Sequence, residues 1–260
     1  MEVSLAELVS VIMPSLNSAK FIDAAIASVL AQTHTDLELI VIDNPSTDRT
    51  TEIVAKHAAQ DRRVKHIQPE QHLKGAAQTR NLGLVLAKGN YIAFLDSDDI
   101  WSPEKLARQL TEMKRTGCPF AYTAYAVITE GGDLILSHEH VPTKLSYHGL
   151  LRRTPVATST VLFDRRISQG FQFPENVPVS EDYSAWLRIF KNFDFACGID
   201  DPLAQYRVVK HSLSSKKFKT ALVVWKFLRI QERLGFLHAS WCFFNYAIYA
   251  WSKNRRFERI

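Results

Sequence analysis

A chain of 260 residues, 46% hydrophobic and 23% charged, has the composition of a folded globular protein, long enough for one large core or two lobes sharing one. No run approaches the roughly 20 apolar residues of a spanning helix, and residues 1–10 hold Glu2 and Glu7 without a basic cluster, so no secretory leader is expected and the cytoplasm is the expected compartment. The net charge of +5 is split: from Leu203 onward twelve Lys and Arg stand against two acids, which leaves the first 202 residues at −5.

Residues 8–13 are a buried-strand run stopped by Pro14, and 19–32 repeat apolar residues at helical spacing (Phe21, Ile22, Ala25, Ile26, Val29, Leu30). Strand 37–42, helix 47–59, strand 64–67, helix 75–87 and strand 91–95 follow in alternation. Gly89 is expected in the left-handed position that closes a helix, and Ser102-Pro103 as the cap and first turn of the next one. Strands alternating with helices imply a mostly parallel α/β sheet covered on both faces, which binds ligands at the carboxyl ends of its strands. Residues 120–129 and 134–137 read as a hairpin, 158–163 as a strand and 182–190 as a short helix. From Thr220 the chain is helical, aromatic and basic. Cys118, Cys197 and Cys242 form no CxxC pair, and so odd and scattered a set predicts reduced, buried thiols without a disulfide or zinc site.

The unusual polar residues follow strands. Asp43 and Asp48 come after the second, and Asp96, Asp98 and Asp99 after the fourth. Carboxylates gathered on one sheet edge repel unless a cation lies among them, and carboxylate with water suits a hard ion such as Mg2+ or Mn2+ bound to phosphates. A solvated acidic turn is the other reading of 96–99.

The ordered segments 9–17, 28–33, 38–43, 46–48, 80–83, 89–99 and 103–106 resemble family 2 glycosyltransferases, inverting enzymes of the GT-A fold, densely from residue 8 to 110 and more thinly to 214. The resemblance implies a catalytic domain over 1–219, its nucleotide-sugar half at 1–115 and its acceptor half at 116–219, followed by a helical extension at 220–260. It implies that Pro14, Ser15, Asn17, Asp43 and Asn44 surround the base and ribose. Asp98 resembles the metal ligand of the family's Asp-x-Asp motif and Asp96 its ribose-side or supporting partner. Arg80 and Asn81 match a motif near the donor, although Asn81 also suits helix packing. Lys74 reaches a base or phosphate in this reading, or is a solvated loop lysine. The family usually carries a second aspartate where Asn44 stands, and an amide donates as well as accepts, which leaves the base preference open. Asp182 resembles the base that takes the acceptor's proton and Glu181 an acceptor contact, while both also favour a helix N-terminus. Arg207, Lys210 and His211 resemble groups that meet the diphosphate, with His211 alternatively a metal ligand or an ordinary surface residue.

The expected activity is transfer of one sugar from a nucleotide-diphosphate sugar, UDP being the family's usual nucleotide, to a glycan or lipid-linked acceptor in surface polysaccharide synthesis. Manganese or magnesium would be the cofactor. The basic aromatic tail suits either an anionic membrane face, giving peripheral attachment, or packing on the core. Nucleic acid is not an expected partner, since the positive charges sit in one tail without a binding motif. A sugar nucleotidyltransferase would need a Gly-rich phosphate loop where Met13–Asn17 has no glycine, and a non-catalytic sugar-nucleotide module would have no need for Asp98 and Asp182 together.

Overall fold

A computed structural model describes residues 7–175, 177, 181–208 and 217–258. In chain order the elements are β1 (Val9–Ser15), α1 (Ile22–Leu30), β2 (Leu37–Asp43), α2 (Thr50–Gln60), β3 (Val64–Ile67), α3 (Gly75–Leu86), β4 (Tyr91–Phe94), β5 (Ile100–Trp101) and α4 (Lys105–Thr116). They continue with β6 (Phe120–Thr129), β7 (Leu134–Glu139), β8 (Lys144–Leu145), α5 (Tyr147–Leu150), β9 (Leu162–Asp164), α6 (Glu181–Ile189), β10 (Ala196–Val208), α7 (Lys217–Lys226) and α8 (Phe236–Glu258).

The sheet order is β3-β2-β1-β4-β9-β6-β10-β5, with β7 on β6 and β8 on β10. The first four strands are parallel, as the alternation predicts. Beyond β4 the sheet is mixed: β9 runs antiparallel to both neighbours, β10 is parallel to β6, and β5 is antiparallel to β10. Strand alternation splits the core into two apolar layers. Ile12, Ile40, Ile42 and Phe94 face α3, α6 and the C-terminal helices. Val11, Met13, Leu39, Val41 and Ala93 face α1, α2 and α4. Register sets Ser15 beside Asp43 and Ile12 beside Phe94, so the loops after β1, β2 and β4 open on one edge.

α1 buries Ile22, Ala25, Ile26 and Val29, the face its spacing predicts. α4 ends at Gly117 in the left-handed conformation, φ +71°, after the basic pair Lys114 and Arg115. Gly83 lets α3 lie directly on β1, because a Cβ there would stand 2.4 Å from an Ile12 methyl.

Several expectations are corrected. Gly89 does not take the left-handed conformation: it is needed because an added Cβ would lie 2.6 Å from both Leu8 O and Ser10 N. Ser102 does not cap α4 with its side chain; its carbonyl accepts from Lys105 N instead, and the helix begins at Lys105. Residues Thr158–Thr160 form a 3-10 turn, with a strand only from Leu162. The long β10 was not anticipated, since Asp200, Asp201 and Pro202 break its apolar pattern; pairing with β6 carries it across two register shifts. Cys118 and Cys197 are joined in a disulfide, against the expected free thiols, because the parallel pairing of β6 with β10 brings the two strand starts together across 79 residues. Cys242 is free and buried.

The C-terminal helices pack on the core: Val224, Phe227, Leu228, Ala239 and Cys242 belong to the same buried layer as Ile12 and Phe94. No helix among the described residues is long and apolar enough to cross a membrane.

Candidate active site

The loops after β1 and β2 are tied to each other. Asn17, at φ 49°, accepts from Thr47 N at 2.8 Å while its own N–H donates to Ser46 Oγ. Asparagine tolerates this left-handed backbone because its short amide can bond locally. Asp43 is fully buried, and its carboxylate accepts from Ser46 Oγ at 2.8 Å and Thr51 Oγ1 at 2.6 Å, with His66 Nε2 at 3.5 Å. Asn17 and Asp43 therefore hold the loop walls. Ser15 Oγ is buried and has no partner among the described residues, which makes it an unfilled hydrogen-bonding group at this edge.

Asn44 acts as a two-point clamp. Its Nδ2 donates to Leu73 O at 2.8 Å and its Oδ1 accepts from Leu73 N at 2.9 Å. A carboxylate would lack the donor, so the amide in place of the second aspartate has a local reason here. The clamp fixes the chain entering α3, just before the exposed Lys74. Asn81 repeats the device on Phe173, with bonds of 3.0 Å and 2.7 Å. The Phe173 ring in turn lies 5.4 Å from the Arg80 guanidinium.

Arg80 is buried and donates to Asp96 Oδ1 at 2.5 Å. Burial by itself lowers its pKa, but Asp96, then Asp182 and Glu181, outweigh that and hold the group firmly charged. The cation is therefore shared between the acidic turn and the start of α6. Its Nε is buried without a partner among the described residues. Glu181 Oε1 lies 3.6 Å from the Cβ position of Gly75, so α6 begins against the start of α3.

The acidic turn is braced from two sides. Ser159 Oγ donates to Asp99 Oδ2 at 2.5 Å and accepts from Asp96 N at 3.1 Å. The adjacent Thr158 Oγ1 reaches Asp182 Oδ2 at 3.4 Å. Two consecutive side chains thus connect the Asp96–Asp99 turn to Asp182. Arg207 N donates to Asp99 Oδ1 at 2.9 Å, and the Arg207 side chain donates to the carbonyls of Asp98, Thr129 and Glu130 while lying 4.8 Å from the Phe21 ring. Its guanidinium is committed to backbone rather than open to a phosphate. Burial and the Asp96 charge both raise the pKa of Asp98, and Asp99 is raised well above the ordinary carboxylate value by burial and by both neighbours.

Those raised carboxylates are the test of whether a divalent cation fits. Three acids crowd one turn, and among the described residues no side chain hydrogen-bonds the Asp98 carboxylate. A hard cation at Asp98, flanked by Asp96, would relieve that crowding. Lys210 and His211 lie outside the described residues, as does Ser180. A second group of metal-ligating type, His138, His140 and Asp200, sits where β7 meets the bend in β10, its imidazoles 3.1 Å and 2.9 Å from the Asp200 carboxylate. Its side chains are nitrogen-rich and separate from the acidic turn, and no residue singled out from the sequence belongs to it. A cleft of about 930 Å3 is also elsewhere: it opens at the amino end of β4, lined by Lys88, Tyr91, Asp164 and Arg166 among others.

Thr158, Ser159, Phe173 and Phe21 were missed from sequence. The one available signal was Thr158-Ser-Thr160, three hydroxyls in a stretch otherwise reading as buried strand.

A doubly covered α/β sheet with an acidic turn after its fourth strand and a second carboxylate pair facing it from a later helix is the GT-A architecture. The sequence model described as glycosyl transferase family 2 matches residues 10–180. A Bacillus subtilis protein described as putative teichuronic acid biosynthesis glycosyltransferase TuaG is 39% identical over 240 residues, 92% of this chain and 94% of that one. The Escherichia coli UDP-Glc:alpha-D-GlcNAc-diphosphoundecaprenol beta-1,3-glucosyltransferase WfgD is 39% identical over 224 residues, 85% of each chain. Among solved structures, S. aureus TarS 1–349 in complex with UDP-GlcNAc aligns with a TM-score of 0.69 at 20% identity, over 90% of this chain and 70% of that one. The mannosyltransferase PcManGT from Pyrobaculum calidifontis, in complex with GDP-Man and Mn2+, gives 0.69 at 19%, over 90% and 69%. The chain belongs to glycosyl transferase family 2, and it is a glycosyltransferase.

Proposed function

We propose that this protein is an inverting, metal-dependent transferase that moves one sugar from a UDP-sugar to a hydroxyl of a lipid-diphosphate-linked acceptor, at the inner face of the cell membrane, in surface polysaccharide assembly. The observation that carries the reading is the bridge Asp96–Arg80 with Asp182 beyond it, reinforced by Thr158 and Ser159. WfgD, named as a UDP-Glc enzyme acting on a diphosphoundecaprenol-linked sugar, supports this donor and acceptor class.

In this reading Asp98 would hold Mn2+ or Mg2+, and the ion would supply positive charge to the departing diphosphate. Asp96 stays fixed by Arg80 beside it. Ser15 Oγ and Arg80 Nε, both buried and without a partner among the described residues, take donor hydroxyls or phosphate, with Pro14 and Lys74 on the rim of the pocket. Asn17, Asp43 and Asn44 shape the walls that receive base and ribose. Arg207 holds the metal-binding turn, and Lys210 and His211 complete the diphosphate side. Asp182 accepts the acceptor hydroxyl's proton as the new C–O bond forms and the bond from the anomeric carbon to phosphate breaks, its electron pair leaving on the diphosphate. Glu181 orients the acceptor.

The test measures transfer and UDP release with manganese for wild type, Asp98→Ala and Asp182→Asn. Asp98→Ala should lose metal-stimulated turnover. Asp182→Asn should lose about 10²–10⁴-fold in transfer while retaining the thermal shift given by UDP and manganese. Wild-type rates in both variants would refute the assignment.

A further inference from the structure

α8 has two unlike faces. Ala239 and Cys242 are buried, Phe243 meets Trp225 at 5.7 Å, and Tyr246 meets Tyr183 at 6.0 Å, so one side of the helix is fastened to the protein. On the other side Leu237, Trp241, Phe244, Ile248 and Trp251 are each 50 to 83% exposed. Their spacing of four, three, four, three places all five in one stripe, roughly 21 Å long at 1.5 Å per residue. A continuous apolar strip of this size on a water-facing surface marks a binding face.

Charge identifies the occupant. Between Phe236 and Trp251 the sequence has no Asp, Glu, Lys or Arg. Lys226, Arg229 and Arg233 precede the strip with Glu232, whose carboxylate is taken by Lys191 and Tyr147, and Lys253, Arg255, Arg256 and Arg259 follow it against the single Glu258. A second copy of the chain would bring cationic ends near one another with only Glu258 beside them to pair, whereas paired helices normally carry complementary charges beside the seam. An anionic lipid surface complements both the cations and the indoles, which favour the interface of water and hydrocarbon. The helix does not meet the requirement for crossing a bilayer, so it lies along one.

We propose that the outward stripe of α8 seats the protein on an anionic bilayer and thereby sets the height of the active site above it. This deepens, and rests on, the reading of the acceptor as lipid-linked. The coupling runs through Tyr183, the residue after Asp182, whose ring packs on Phe227 at 5.8 Å and on Tyr246 at 6.0 Å. The start of α6 is therefore braced against the same helices that meet the lipid, and a diphosphate-linked sugar arrives beside Asp182 without leaving the membrane.

The test is cosedimentation of the full chain with phosphatidylcholine vesicles, with and without phosphatidylglycerol, at low and high salt. Wild type should partition onto phosphatidylglycerol vesicles and be released by salt. The double variant Trp241→Ser, Phe244→Ser should bind at least roughly tenfold more weakly, since each buried aromatic contributes about that factor. Its melting temperature and manganese-dependent UDP-sugar hydrolysis should match wild type, because both side chains are more than half exposed. Wild type that ignores anionic vesicles, or a variant that binds them equally, overturns the proposal. So does a wild-type dimer in light scattering that the double variant dissolves, which would assign the strip to a second copy. Failure of hydrolysis in wild type while vesicle binding persists counts against the enzymatic reading and leaves the bilayer surface standing.

Discussion

Replacing Asn44 with aspartate isolates one hydrogen bond and changes it into a repulsion. Asn44 is 4% exposed, and its Nδ2 and Oδ1 occupy both backbone groups of Leu73, at 2.8 Å and 2.9 Å. An ionised carboxylate keeps the bond from Leu73 N but sets an oxygen against Leu73 O with no proton between them. The lost bond is worth about 1 kcal/mol and the carbonyl left unpaired a further 1–3, so the substitution should cost about 2–4 kcal/mol at neutral pH. In a chain of this size that is a fall of roughly 5–12 °C in melting temperature. Protonation restores the missing donor, so the new carboxyl has a folded-state pKa above its unfolded value of about 3.9. The stabilisation a raised acid provides is present below the unfolded pKa and disappears as pH rises through the folded one. The deficit of the variant should therefore be least near pH 4 and largest near pH 8. Thermal melts of both proteins across that range, with Asn44→Ala as a control whose deficit does not vary with pH, decide the matter. Equal melting temperatures at neutral pH, or a deficit that does not shrink in acid, would refute the clamp.

Ser159→Ala should cost about 2–4 kcal/mol, because it removes a donor to buried Asp99 and leaves Asp96 N–H unpaired; denaturant unfolding measures this. The same variant should need more manganese for half-maximal activity, as the turn carrying Asp98 loosens, and an unchanged manganese titration would show that the brace is irrelevant to the metal. Lys105 is fully buried with its pKa well below the lysine value, held by Gln109 Oε1 at 2.7 Å. A lysine lowered on folding binds fewer protons folded than unfolded, so its contribution to stability rises with pH up to about 10.4. Lys105→Met should flatten that slope by up to about 1.4 kcal/mol per pH unit in urea melts between pH 7 and 10, and parallel slopes would contradict the buried state.

The N-terminal half was legible because its signals are local. Short, mostly apolar runs make β1, β2 and β4, and the i, i+3, i+4 spacing of Ile22, Ala25 and Ile26 makes α1. The acidic turn was also readable, since Asp96, Asp98 and Asp99 stand together in the chain. β10 was not, because its pattern is broken at Asp200–Pro202 and its pairing comes from β6, about 80 positions earlier. The Cys118–Cys197 pairing was hidden for the same reason.

Sequence alone determined the fold family, the acids after the fourth strand and the charged aromatic character of the tail, because each is written in neighbouring residues. Only the tertiary structure decided that Thr158 and Ser159 join the acidic turn to Asp182, that Arg207 and Asp43 are spent on holding loops, and that Trp241 faces out while Tyr246 faces in. Those outcomes depend on which groups satisfy which across 24 to 108 residues of chain, and burial rather than residue type selects the partner.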